Sequence, residues 1–60
     1  MLYLVEIITL APHGHDNTEY RKFVDESLAL EFSDRERNRL ESRRKAGEIT
    51  DYIVVTYRAI

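Results

Sequence analysis

The sequence lacks cysteine altogether, and it has only one proline and two glycines among its 60 residues. Without cysteine, neither disulfide bonds nor a thiolate metal site can reinforce a small core. The same absence is compatible with a reducing intracellular compartment. A chain of this length buries only about 60% of its unfolded surface, which is near the lower limit for unaided folding. Oligomerisation is the remaining way to stabilise such a core.

The sequence also lacks a strong excess of either charge and any long apolar run. Its net charge of −2 and pI near 5.6 give no general attraction to nucleic acid or to anionic membranes. No stretch approaches the roughly 18–20 apolar residues that span a bilayer. The apolar run Met1–Ala11 has no basic start, carries Glu6 and precedes no small-residue cleavage pattern, so it is not interpreted as a signal peptide. We therefore expect a cytoplasmic protein that does not bind membranes.

Two apolar runs, Met1–Ala11 and Ile49–Ile60, are predicted to be strands. Both are apolar on both faces when side chains alternate along a strand. In the first run one face holds Leu2, Leu4, Ile8 and Leu10, and the other holds Tyr3, Val5 and Ile7. A helix on one side of such a sheet would leave the other face and the edges exposed. This pattern predicts a protein partner.

The segment after the first run is predicted to be a loop followed by a helix. Pro12 ends the strand, since it cannot donate to a sheet, and turn-forming residues follow it. Asp16, Asn17 or Thr18 can cap a helix over Thr18–Phe32. Its apolar residues fall near helical spacing, at Tyr20, Phe23, Val24 and Leu28.

A second helical segment is predicted over Asp34–Ala46, and Gly47 is expected to end it. Ser33 followed by Glu36 can form a capping box that starts this helix. The alternative is one continuous helix through Ser33. This second segment is almost wholly polar, with Glu41 and Lys45 spaced for an ion pair, so we expect it to bury little.

These elements predict one α+β domain over residues 1–60, in the order β-α(-α)-β. Two strands would carry a long or broken helix on one face, and dimerisation would complete the sheet. The strands can lie side by side and parallel, flank a gap that a third strand fills, or run antiparallel.

The only cluster with acid–base or metal-ligating residue types is His13, His15 and Asp16. No further ligand is identifiable, so a solvated turn is the favoured interpretation. Glu6, in the middle of an apolar strand, can be a buried acid or a charge that discourages strand pairing. We assign no catalytic residue, metal or cofactor from these groups and keep Glu6, His13 and His15 as weak catalytic candidates.

A stretch rich in arginine offers a contact for nucleic acid. Its candidates are Arg35, Arg39, Arg43 and Arg44. Acidic residues dilute its charge and no aromatic is interleaved for base stacking, so a solvated helix with internal ion pairs is favoured. Nucleic acid is the least favoured class of partner.

The favoured function is a small protein-interaction or regulatory module that acts through its sheet face and edges as a homodimer. Aromatic and β-branched strand residues supply the anchors of such an interface. The predicted interface residues are Tyr3, Val5, Ile7, Phe23, Tyr52, Val54 and Tyr57.

The start Met1–Ile7, the Pro12 and Asp16 that follow it, and the turn at Gly47–Ile49 resemble muconolactone isomerase-like proteins. The resemblance implies the first β-α-β half of a ferredoxin-like unit, with two copies of the chain rebuilding one sheet. It also implies an alternative function, a dimeric α+β barrel enzyme with a pocket between sheet and helix. Its acid–base groups would then come from Glu6, His13 or His15, although the absent second half of the unit disfavours an enzyme.

Overall fold

The computed structural model describes all 60 residues, which form three strands and one helix. The elements are β1 (Tyr3–Leu10), β2 (Asn17–Phe23), α1 (Glu26–Lys45) and β3 (Asp51–Arg58). Strand β1 is central and pairs antiparallel with both neighbours, in the order β2-β1-β3. Since β2 and β3 are both antiparallel to β1, they run parallel to each other, and β2-α1-β3 is a split β-α-β unit. The predicted α+β class is confirmed.

The prediction of a helix over Thr18–Phe32 is wrong in its first half, because residues 17–23 form the edge strand β2. The spacing of Tyr20, Phe23 and Val24 resembles a helical stripe, but pairing with β1 satisfies the backbone of this segment instead. The helix begins later. Asp25 is its N-cap and accepts hydrogen bonds from the backbone N–H groups of Ser27 (2.8 Å) and Leu28 (3.4 Å).

The helix is continuous through Ser33, so the capping-box interpretation is wrong and the alternative of one helix is confirmed. Ser33 is fully buried against the sheet. The predicted end at Gly47 is confirmed, with a backbone φ of +80° that suits glycine. The N–H of Glu48 donates to the carbonyl of Arg43 (3.0 Å), and that of Gly47 to Arg44 (3.1 Å), which is a Schellman motif.

The core lies between α1 and one face of the sheet. Its buried members are Val5, Ile7, Ala29, Leu40, Ile49 and Val54. The rings of Phe23 and Phe32 close one end of this core, with centroids 5.4 Å apart. Leu40 is fully buried, although the polar second half of the helix was expected to bury little. Leu40 therefore packs the second half of the helix against the sheet.

The strand register places a second set of side chains on the opposite face, which we call the open face. It comprises Leu4, Glu6, Ile8 and Leu10 of β1, Thr18, Tyr20 and Lys22 of β2, and Asp51, Ile53, Val55 and Tyr57 of β3. The predicted division of the first apolar run between two faces is therefore confirmed. Helix α1, the only helix, is not apolar enough along its length to cross a membrane.

Candidate functional site

The open face is an apolar surface that no element of the chain covers. Rows of side chains cross it from β2 through β1 to β3, since directly paired residues share a face. One row is Lys22–Leu4–Tyr57 and another is Thr18–Ile8–Ile53. Tyr20, Ile53, Val55 and Tyr57 are 56%, 47%, 40% and 40% exposed. Apolar side chains are therefore exposed on both edge strands of this face.

Glu6 stands at the centre of the open face and has a partner on the neighbouring strand. The hydroxyl of Tyr20 donates a hydrogen bond of 2.8 Å to its carboxylate. This bond, together with the negative charge of Glu6, raises the pKa of the Tyr20 phenol above its ordinary value. One of the two carboxylate oxygens of Glu6 is thereby paired within the chain.

The predicted interface residues do not lie on one face of the sheet. Of that set, only Tyr57 lies on the open face. Val5, Ile7 and Val54 are buried beneath the helix, and the remaining predicted residues pack against the core: Tyr3, Phe23 and Tyr52. Strand alternation separates the two faces but does not say which one the helix covers. The candidate interface is therefore revised to the apolar side chains of the open face: Leu4, Ile8, Tyr20, Ile53, Val55 and Tyr57.

The sheet edges differ in what they offer a partner. Strand β2 carries Glu19, Arg21 and Lys22, and such charges oppose edge-to-edge pairing. Strand β3 has no charge between its terminal residues, but the guanidinium of Arg37 donates to the carbonyl of Val54 at 3.0 Å. That contact occupies one acceptor on the β3 edge. The exposed face of the sheet is therefore a better candidate for an interaction surface than either edge.

A polar pocket of about 260 Å³ lies on the helix side, where β1 ends and β2 begins. The helix contributes Arg39 and Arg43, and the turn after it contributes Glu48. The sheet and its first loop contribute Glu19 and His15. The pocket thus combines cationic, anionic and imidazole side chains in one concave site.

Ion pairs orient the two arginines of this pocket. Arg39 donates from Nε (2.8 Å) and Nη2 (2.9 Å) to Glu36, which lowers the pKa of the Glu36 carboxyl and raises that of the guanidinium. Arg43 donates from Nε to Glu48 at 3.4 Å. The partner of Arg39 lies outside the pocket, whereas Arg43 and its partner Glu48 both line it.

The structure does not bring the weak catalytic candidates into one site. His15 lines the pocket, but His13 does not, and Glu6 lies on the opposite face of the sheet. Asp16 accepts a hydrogen bond from the backbone N–H of Ala11 at 3.3 Å, so it stabilises the loop instead of capping a helix. No group of three histidine, aspartate or glutamate side chains is placed to hold a metal ion.

The arginine-rich segment forms ion pairs along the helix. Three of the four nucleic-acid candidates are paired: Arg39 with Glu36, Arg43 with Glu48 and Arg44 with Glu41. Glu41 therefore pairs with Arg44 and not, as predicted, with Lys45. These pairs reduce the cationic field that a phosphate backbone would meet.

Scans of protein-family models, of curated proteins and of solved structures found no match to this chain. The resemblance to muconolactone isomerase-like proteins therefore gains no support from them. The element order also differs from the expected one. Residues 1–11 form the central strand between the two strands of the β-α-β unit, and they do not open that unit.

Proposed function

We propose that this chain is a protein-interaction module that pairs with a second copy of itself through the open face. The observation that carries this proposal is the largely apolar surface around Glu6, on the side of the sheet that the helix leaves uncovered. Two such faces packed together would make a sheet-on-sheet sandwich about 10 Å thick between the backbones. Dimerisation would give a second core to a chain whose own core is small.

The dimensions of the sheet support this arrangement. The strands have eight, seven and eight residues. At about 3.3 Å per residue and about 4.8 Å between strands, they cover roughly 360 Å² in projection. The accessible area of side chains exceeds their projection. A pair of such faces therefore approaches the roughly 1,000 Å² in total that a specific interface needs.

The placement of charge favours a second copy over an unrelated protein. Lys22 lies at one end of the open face and Asp51 at the other, because they pair with Leu4 and Leu10 respectively. Because Lys22 is on β2 and Asp51 is on β3, the two charges occupy diagonally opposite corners of the face. A two-fold axis that lies between the sheets and perpendicular to this diagonal places Lys22 of each copy over Asp51 of the other. Opposite charges at opposite ends are what such a self-complementary contact requires.

The proposal is tested by the oligomeric state of the protein and of two matched variants. Ile53→Glu places a charge on the open face, and Leu30→Glu places the same charge at an exposed apolar position on the helix. Light scattering after size exclusion should show a dimer for the unaltered chain and for Leu30→Glu at micromolar concentration. Ile53→Glu should be a folded monomer, because a buried unpaired carboxylate opposes the sandwich.

Circular dichroism distinguishes loss of pairing from loss of folding. A folded monomer for the unaltered chain at about 100 µM would overturn the proposal. Equal loss of the dimer in both variants would place the interface away from the open face.

A further inference from the structure

We infer that the polar pocket binds a small carboxylate whose adjacent carbon carries a hydroxyl or an ammonium group. The pocket lies on the helix side of the sheet, so this site is separate from the open face and does not depend on the proposed dimer. The inference rests on which hydrogen-bonding atoms around the pocket remain unused within the chain.

The unused donors belong to cationic or imidazole groups. Arg43 uses only Nε within the chain, so its two terminal nitrogens form a free pair of parallel donors. Arg39 uses Nε and Nη2, which leaves Nη1. The imidazole of His15 makes no hydrogen bond within the chain although it lines the pocket. A guanidinium edge with two free N–H groups matches a carboxylate.

The unused acceptors lie beside these donors. Glu19 accepts from the amide of Asn17 through Oε1 at 3.3 Å, and Glu48 accepts from Arg43 through Oε1. The second oxygen of each carboxylate has no partner within the chain. A ligand with only acceptor groups would leave both unpaired, whereas a hydroxyl or ammonium group can donate to them.

Charge and volume narrow the ligand further. The charges of Arg39 and Arg43 are balanced by Glu19 and Glu48, and Glu36 pairs with Arg39 from outside the pocket. The site therefore tolerates one negative charge better than the two of a phosphate monoester. A volume of about 260 Å³ is below the usual range for drug-sized ligands and suits a compound of few heavy atoms. Ile7 and Ile49 supply an apolar wall for its short carbon chain.

The test is an NMR titration of the full chain with lactate, alanine and propionate, three carboxylates of equal length that differ only at the second carbon. Amide shifts of His15, Glu19 and Glu48 should move with lactate or with alanine at millimolar concentration, and several-fold more weakly with propionate. Whichever of the first two binds more tightly identifies the donor as hydroxyl or ammonium. Inorganic phosphate at matched ionic strength should bind more weakly than that compound.

Variants locate the site. Arg43→Gln should weaken binding about tenfold or more, because it removes a charge-assisted pair of hydrogen bonds. Arg35→Gln removes the same charge from an exposed position on the helix and should change binding less than twofold. Glu19→Gln should narrow the difference between the favoured ligand and propionate while leaving propionate binding in place, and it serves as a second variant if Arg43→Gln disturbs the fold.

Any of three titration results would overturn the inference: no shift at up to about 50 mM of any of the three acids, equal binding of all three acids, or tighter binding of phosphate. Equal weakening by Arg43→Gln and Arg35→Gln would show a general charge effect and would also overturn it.

Discussion

The two faces of the sheet are similarly apolar, yet only one of them is covered. On the covered face, Val5 and Ile7 are 0% and 2% exposed beneath the helix. On the open face, Ile53 and Val55 are 47% and 40% exposed, although their side chains are of the same kind. The difference shows that hydrophobicity alone does not say where the core of a small sheet forms. The position of the single helix decides it.

The two faces also differ in whether their polar side chains have hydrogen-bond partners, and here the open face is the better satisfied one. The buried hydroxyls of Ser33 and Thr56 on the covered side have no hydrogen-bond partner within the chain. The exposed carboxylate of Glu6 on the open face has one, the hydroxyl of Tyr20. The open face is thus the one whose central polar group has a hydrogen-bond partner within the chain.

The largest expected effect comes from truncating an apolar side chain in the core between the helix and the covered face. Leu40→Ala should destabilise the fold by about 2–5 kcal/mol, because it opens a cavity in the core. That is a large part of the roughly 3–9 kcal/mol expected for a chain of this length. Urea denaturation measures the change in the free energy of unfolding.

Ile53→Ala is the matched change on the open face. At low protein concentration it should cost less than about 1 kcal/mol, since the side chain is half exposed in the monomer. Its cost should rise with concentration as the proposed dimer forms. A cost equal to that of Leu40→Ala in the monomer would remove the contrast between the faces.

A smaller effect is expected from weakening the start of the helix that covers one face. Asp25→Ala removes the side-chain acceptor for two backbone N–H groups and should cost about 1 kcal/mol. Asp25→Ser, which retains a capping oxygen, should recover most of the loss. Thermal denaturation followed by circular dichroism compares them, and equal losses in both variants would mean that the cap contributes little.

Ser33→Ala tests the unpaired hydroxyl of the covered face. Since the hydroxyl has no partner within the chain, its removal should leave stability unchanged or raise it by up to about 1 kcal/mol. The same urea denaturation gives the sign. A loss of more than 1 kcal/mol would show that the hydroxyl is hydrogen-bonded in solution.

The smallest expected effect is a change in the titration of Tyr20 on the open face. Glu6→Gln removes the negative charge that raises the pKa of the phenol, so that pKa should fall toward its ordinary value. The hydrogen bond stabilises the fold below the unfolded tyrosine pKa of about 10, and this contribution is lost as pH rises through the higher folded value. The ¹³Cζ chemical shift of Tyr20, followed against pH, gives the pKa of its phenol in the unaltered chain and in Glu6→Gln. Coincident titration curves would contradict the interaction between Tyr20 and Glu6.

Several local features of the fold could be predicted from particular residues. The alternation in Met1–Ala11 predicts a strand with two apolar faces, and Gly47 predicts the end of the helix, because each depends on nearby backbone geometry. Strand β2 could not be predicted in this way. Its apolar residues Tyr20 and Phe23 have helical spacing and no strand alternation, and backbone pairing with β1 overrides that spacing. Asp25 followed by Glu26 was the local signal for the true helix start.

The candidate sites were less predictable than the elements. His15 was recognisable as a residue of functional type, but the pocket also needs Arg39 and Arg43 from α1 and Glu48 from the turn after it, which lie far along the chain. No spacing along the chain relates them. An uncovered face was expected, but all of the predicted interface residues except Tyr57 lie in or against the core instead.

The sequence by itself determined that two strands would each present two apolar faces, and that a core this small would leave apolar surface exposed. Both follow from alternation and chain length, which are local or global properties of the sequence. Only the tertiary structure decided which face the helix covers, that residues 17–23 pair with β1 as a third strand, and that His15 and Arg43 line the same pocket. These outcomes depend on contacts between segments far apart in the chain, where packing and backbone pairing override local preference.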